Sequence, residues 1–162
     1  MPMTSTETMT LREGSEEVVG EWISRGSGGL LLIESGQYHH PLCFGRGQWD
    51  VRGVETSSES RVSASWSSVC IQVDTEAEVS ISDLRLTSDR EYALGEEATI
   101  RVMGGRLTLT QMDISSATGH GLWGRGVYQI QCQEVRWHDC GRCGVWVHGD
   151  SQGGASSTFE CE

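Results

Sequence analysis

The sequence predicts an all-β solenoid, a right-handed parallel β-helix of about four to five coils with a short N-terminal capping helix. Three observations carry this. A pattern of alternating apolar residues recurs along the chain. A second short strand accompanies each copy. Hairpin turn chemistry is sparse, with no Asn-Gly or Asp-Gly between adjacent strands.

The 162 residues suit one domain. Residues 1–14 read as a flexible, Thr-rich lead-in, and 15–162 as the solenoid. Ser15 is placed to cap a helix, with Glu16 and Glu17 in a first turn where the helix dipole favours anions. Val18, Val19, Trp22 and Ile23 follow at helical spacing, and Gly26 ends the pattern, so a helix is expected over 16–24. The longest apolar run, Leu30-Leu31-Leu32-Ile33, comes next and is far too short to span a membrane.

The repeat is clearest in Val79-Ser-Ile81-Ser-Asp-Leu84-Arg-Leu86, which recurs from Leu107 to Ile114 and from Ile130 to Trp137. A weaker copy runs from Trp49 to Thr56. Each copy holds two alternating apolar positions, a two-residue corner and two more, so one face points in and one out. The second strand reads Leu42-Cys43-Phe44, Ile71-Gln72-Val73, Ile100-Arg101-Val102, Leu122-Trp123-Gly124 and Val145-Trp146-Val147. The step is roughly 22 to 30 residues, with the excess in loops such as 89–97. A β-sandwich is the competing architecture, but column-on-column superposition of the copies favours stacked coils. Thr158-Phe159-Glu-Cys161 reads as the start of another coil, so the C-terminal end is expected to be open or truncated.

Composition narrows function. A net charge of −11 and a pI near 4.8 argue against phosphate-tracking nucleic-acid binding and against an anionic membrane surface. Residues 1–10 have neither the basic nor the apolar region of a signal peptide. Six cysteines then read as thiols in a reducing compartment, cytoplasmic or nuclear.

Superposed coils predict ladders of equivalent residues about 4.8 Å apart. One outward column is Glu55, Arg85, Asp113 and Arg136, whose alternating charge reads as a surface salt-bridge ladder. The other is Cys43, Gln72, Arg101, Trp123 and Trp146. Two outward tryptophans beside an arginine make a flat, partly cationic surface suited to a protein or a sugar. The candidate binding residues are therefore Trp123, Trp146, Arg101 and Gln72.

Two stretches carry a family resemblance: the entry from Glu16 through Gly36-Gln-Tyr38 to Gly53, and the run Val135-Arg-Trp-His-Asp-Cys-Gly141-Arg-Cys-Gly144-Val-Trp-Val147. They resemble the right-handed parallel β-helix repeats of the pectate-lyase-like superfamily, including its intracellular branch in some F-box proteins. In that family the entry is a capping helix, a strand, a Gly-x-Tyr turn and a strand ending near glycine. The resemblance implies a fold and leaves activity open.

The family's catalytic sets are missing. Gly119-His120-Gly121 matches a polygalacturonase motif, but the acidic pairs such enzymes need are absent. Glu96, Glu97 and Asp139 are too scattered for a calcium cage. Asp113 with Arg85 and Arg136 imitates part of a pectin-esterase set, which the charge ladder explains more simply. Cys140-Gly-Arg-Cys143 is a CxxC near His138 and His148, but Cys132 points inward with Ile81 and Leu109, and no second CxxC completes a zinc site. Cys143 shares a column with His120. His39-His40 reads as an exposed turn. No cofactor, metal or catalytic residue is expected. Two functions stay in play: a non-catalytic scaffold presenting the Trp/Arg face to a protein or peptide, and a carbohydrate-active or carbohydrate-binding fragment.

Overall fold

The computed structural model describes residues 7–54, 62–89, 98–149, 151–152, 155–156 and 158–161. The chain runs β1 (Thr8–Leu11), α1 (Glu16–Arg25), β2 (Gly28–Ile33), β3 (Gly36–Tyr38), β4 (Leu42–Gly53), β5 (Val62–Trp66), β6 (Ile71–Ser82), β7 (Leu84–Ser88) and β8 (Ala98–Val102). It continues with β9 (Gly105–Ser116), β10 (His120–Gly126), β11 (Tyr128–Cys140), β12 (Val145–Gly149), β13 (Ser151–Gln152), β14 (Ala155–Ser156) and β15 (Thr158–Cys161). It is an all-β molecule with one helix and a mainly parallel sheet curled into a half-barrel. Among the described residues only β13 and β14 pair antiparallel, against the face-to-face antiparallel sheets of a sandwich.

The parallel pairings sort into three ladders. The first stacks β1, β2, the second half of β4, the second half of β6, the first half of β9, the first half of β11, and β15. The second stacks β3, β5, β7 and the second halves of β9 and β11. The third stacks the starts of β4 and β6, then β8, β10 and β12. The repeat read from the sequence is this register: Trp49, Val79, Leu107, Ile130 and Phe159 lie one above another.

Inward positions alternate along each strand and form one core, including Leu31, Val51, Ile81 and Leu109 from the first ladder and Leu84, Leu86 and Ile114 from the second. Each fully buried Leu or Ile contributes about 1.5–3 kcal/mol. The two-residue corners are now specific. Asp83, Gln111 and Glu134 occupy equivalent positions and all take positive φ, at 57°, 53° and 56°. One left-handed residue re-aims the strand from one ladder to the next without a loop.

The N-terminal end differs from expectation in three places. Thr8–Leu11, inside the expected lead-in, is a strand pairing with β2, and Leu11 is fully buried. Gly36–Tyr38, expected as a turn, is a strand whose Tyr38 enters the core. The helix forms where expected and reaches Arg25, but Ser15 makes no side-chain cap. Its hydroxyl instead donates to the Arg12 carbonyl and accepts from the Arg12 N–H, both at 2.9 Å. Val19 and Ile23 are buried against β1 and β4 while Val18 is 61% exposed, because the helix presents one stripe only. Among the described residues, no helix is long and apolar enough to cross a membrane.

Candidate functional site

The outward column of the third ladder is assembled by register. Cys43 lies beside Gln72, Gln72 beside Arg101, Arg101 beside Trp123, and Trp123 beside Trp146. Leu42, Ile71, Ile100 and Leu122, one residue earlier in each strand, are buried, so the column faces away from the core. The indoles of Trp123 and Trp146 stack with centroids 5.6 Å apart and planes within 5°. The Arg101 guanidinium lies 5.3 Å from the centroid of the Trp123 ring, within cation–π range.

This packing corrects the expectation of two open tryptophans. Trp123 is only 4% exposed, whereas Trp146 is 39% exposed. Strand spacing near 4.8 Å brings flat side chains of adjacent coils into face contact, so Arg101 and Trp146 cover the ring between them. Gln72 lies beyond Arg101, and its amide donates to the Asp74 carboxylate at 3.2 Å. Cys43 at the far end is exposed, and its thiol pKa is raised, first by partial burial and then by Asp74.

An open concavity of about 800 Å³ forms around the two rings. The His120 and His148 rings flank Trp146, each with its centroid 6.3 Å away. Arg125, Arg142 and Cys143 complete the rim. Arg101 and Gln72 do not line this hollow; the structure groups the tryptophans with these other residues instead. Arg125 and His148 could have been found from the sequence, since each follows its tryptophan by two residues and shares its face. They also lie opposite one another in register.

The chain from 141 to 144 folds back along the start of β10 and shapes one wall. Gly121 N–H donates to the Cys143 carbonyl at 3.1 Å, and Leu122 N–H to the Gly144 carbonyl at 2.9 Å. Cys143 N–H donates to Nδ1 of His120 at 3.2 Å, which in a neutral ring places the proton on Nε2. A Cβ at Gly121 would stand 2.6 Å from the Gly144 carbonyl oxygen and 2.9 Å from the Trp137 ring, so glycine is needed there. The second glycine of the Gly-His-Gly run is thus required by packing. Cys140 is partly buried, donates to the His138 carbonyl at 3.4 Å, and has its thiol pKa raised chiefly by burial. Among the described residues no three His, Cys, Asp or Glu converge as a metal set.

The second outward column is also in register: Arg85 beside Asp113, and Asp113 beside Arg136. Glu55, Glu96 and Glu97 lie outside the described residues. Arg85 Nε approaches Asp113 Oδ2 at 4.0 Å. The missed partner is His138, whose Nε2 meets Asp113 and whose Nδ1 lies 2.8 Å from Asp139 Oδ2. Hydrogen bonding to Asp139 first, then the bond to Asp113, raises the imidazole pKa against a partial loss of hydration. With both ring nitrogens held by carboxylates, His138 keeps no lone pair to act as a general base. Thr87 and Ser115 hydroxyls, 2.6 Å apart, continue this face. No family model, no curated protein and no solved structure matches the chain.

Proposed function

We propose that the three ladders are the faces of a right-handed parallel β-helix of the pectate-lyase-like type, serving as a non-catalytic module. It presents the outward Trp/Arg face of the third ladder to a protein or peptide. The observation that carries this reading is Trp146, a large aromatic ring left 39% exposed in a hollow while stacked on a buried neighbour. A ring held flat by Trp123 loses little conformational freedom on binding, and tryptophan and arginine dominate binding hot spots. Arg101 supports the stack from the next coil, and Gln72 extends the same column.

One observation favours a second reading, carbohydrate binding. The exposed indole is parallel to its neighbour within 5°, a flat shelf of the kind a sugar ring stacks on. The deciding experiment probes a peptide array and a glycan array with wild type and Trp146→Ala. The first reading expects peptide hits that weaken about tenfold in the variant, the loss of one aromatic anchor. Glycan hits alone with the same dependence select the second reading. Hits indifferent to Trp146 overturn both.

A further inference from the structure

Cys132 and Cys161 lie opposite one another in the parallel pairing of β11 with β15. Two residues earlier on each strand, Ile130 and Phe159 form the next pair on the same face; Ile130 belongs to the apolar core, and the partly buried Phe159 packs against it. Both cysteines are free thiols, Cys132 buried and Cys161 exposed. We infer that Cys132 and Cys161 are a reversible disulfide site that fastens the last strand to the stack, with a small-molecule disulfide such as oxidised glutathione as the oxidant.

The geometry permits the bond. Directly paired residues of neighbouring strands have Cα atoms about 4.8 Å apart, inside the range of roughly 4.4–6.8 Å that disulfides span. Among the described residues β15 pairs with β11 alone, so it can make the small shift that brings the sulfurs together. Among the described residues no other paired strands place two cysteines opposite one another. Leu109 stands opposite Cys132 on the other side, Cys140 ends β11 opposite Ser116, and Cys143 lies between β11 and β12.

The two thiols have different parts. Cys161 is open to solvent, so its thiolate is the accessible nucleophile. It attacks one sulfur of oxidised glutathione, breaking that S–S bond, forming a mixed disulfide and releasing one glutathione thiolate. Cys132 then loses its proton to water and attacks the Cys161 sulfur. The protein disulfide forms and the second glutathione leaves as thiolate. The protein gives up two electrons and two protons, and oxidised glutathione becomes two reduced molecules. Cys132 has its pKa raised to about 12, first by burial and then by its neighbour Cys161, so closure is the slow step. Excess reduced glutathione reverses the sequence.

The test starts from the fully reduced chain, incubated in oxidised glutathione at neutral pH, then unfolded and alkylated. The expected result is one disulfide, mapped to Cys132–Cys161 by proteolysis, with the remaining four of six thiols alkylated. The melting temperature rises by about 5 °C, as cross-linking restricts the unfolded chain. Cys161→Ser, an exposed and conservative change, abolishes both the bond and the shift. Alkylation of all six thiols overturns the inference. So does a dominant Cys140–Cys143 bond, or an equal yield of Cys132–Cys161 when the same incubation is done in urea.

Discussion

The two ends of the molecule use aromatic residues in opposite ways. At the N-terminal end Trp22, Tyr38, Phe44, Trp49 and Trp66 turn inward and touch: Trp22 meets Trp49 edge-on at 5.2 Å, and Tyr38 meets Trp66 at 4.8 Å. The indole N–H groups and the phenol of this cluster each have a partner. Trp66 Nε1 donates to the His40 carbonyl, Trp49 Nε1 to the Arg46 carbonyl, and Trp22 Nε1 to the Glu7 carboxylate. The Tyr38 hydroxyl donates to the Glu34 carbonyl at 2.6 Å, and burial with the nearby carboxylates, Glu34 foremost, pushes it up to about 12. At the C-terminal end Trp123 and Trp146 point outward, and Trp137 buries an indole N–H that has no acceptor. The first group seals a core. The second is arranged on a surface, which is where recognition needs rigid aromatic area.

The helix is part of the first arrangement. Glu16 accepts from the N–H groups of both His39 and His40, at 2.6 and 3.0 Å, and Glu13 accepts from Gln37 at 2.9 Å. Glu16 in the first turn and Glu13 before it thus satisfy backbone N–H groups of Gln37, His39 and His40, beyond any effect on the helix dipole. His39-His40 is an exposed turn held by the helix.

The contrast is broken or upheld most directly by truncating one tryptophan at each end. Trp66→Ala leaves a cavity at a fully buried site and an orphaned His40 carbonyl, and should cost about 3–5 kcal/mol. Trp146→Ala removes a partly exposed ring and its stacking on Trp123, and should cost only about 0.5–1.5 kcal/mol. Urea denaturation of both variants measures the difference. Equal losses would mean that Trp146 belongs to the core and that the two ends do not differ.

A smaller effect lies in the outward charge column. A neutral imidazole has one N–H and cannot donate to both Asp113 and Asp139, so the pair of contacts requires the charged ring. The folded-state pKa of His138 is raised above its ordinary 6.5. The stabilisation is therefore complete below about 6.5 and is lost as pH rises through the raised value. Asp113, Asp139, Arg85 and Arg136 are the charged groups beside the ring. Melting temperatures of wild type and His138→Gln, followed from about pH 5.5 to about 8.5 across the imidazole titration, test it. Wild type should be the more stable at the acid end, and the gap should close towards the alkaline end. A constant gap would remove the charged bridge.

What the sequence makes legible follows from how parallel strands stack in register. Repetition in sequence becomes adjacency in space, so the repeat alone puts Gln72, Arg101, Trp123 and Trp146 in one column. Burial within the column was not legible, because it depends on side chains of neighbouring coils covering one another. Nor was the hollow, since its wall depends on 141–144 folding back over Gly121. His138 escaped for a local reason. The β11–β9 register shifts between Trp137 and Cys140, and Asp139 takes φ 49°. An irregularity of this kind re-aims a side chain off the repeat that periodicity follows.

The corners carry the smallest expected effect and separate the two ends again. Asp83, Gln111 and Glu134 hold left-handed φ at three successive corners, while Gly53, the equivalent residue of the earlier coil, does not. Left-handed backbone costs a residue with a Cβ about 1–2 kcal/mol. Gln111 is exposed, so Gln111→Gly removes that strain and gives back about 0.4–1 kcal/mol through the freer unfolded chain. The net expectation is a gain of about 0.5 kcal/mol. Gly53→Ala should go the other way. Its Cβ would meet the Asp83 carbonyl oxygen at 2.8 Å and Val62 at 3.1 Å, so glycine serves there for close approach. Chemical denaturation of the two variants decides it. A loss in Gln111→Gly would mean that the glutamine side chain contributes more at that corner than the strain removes, and the later coils would then be no more strained than the first.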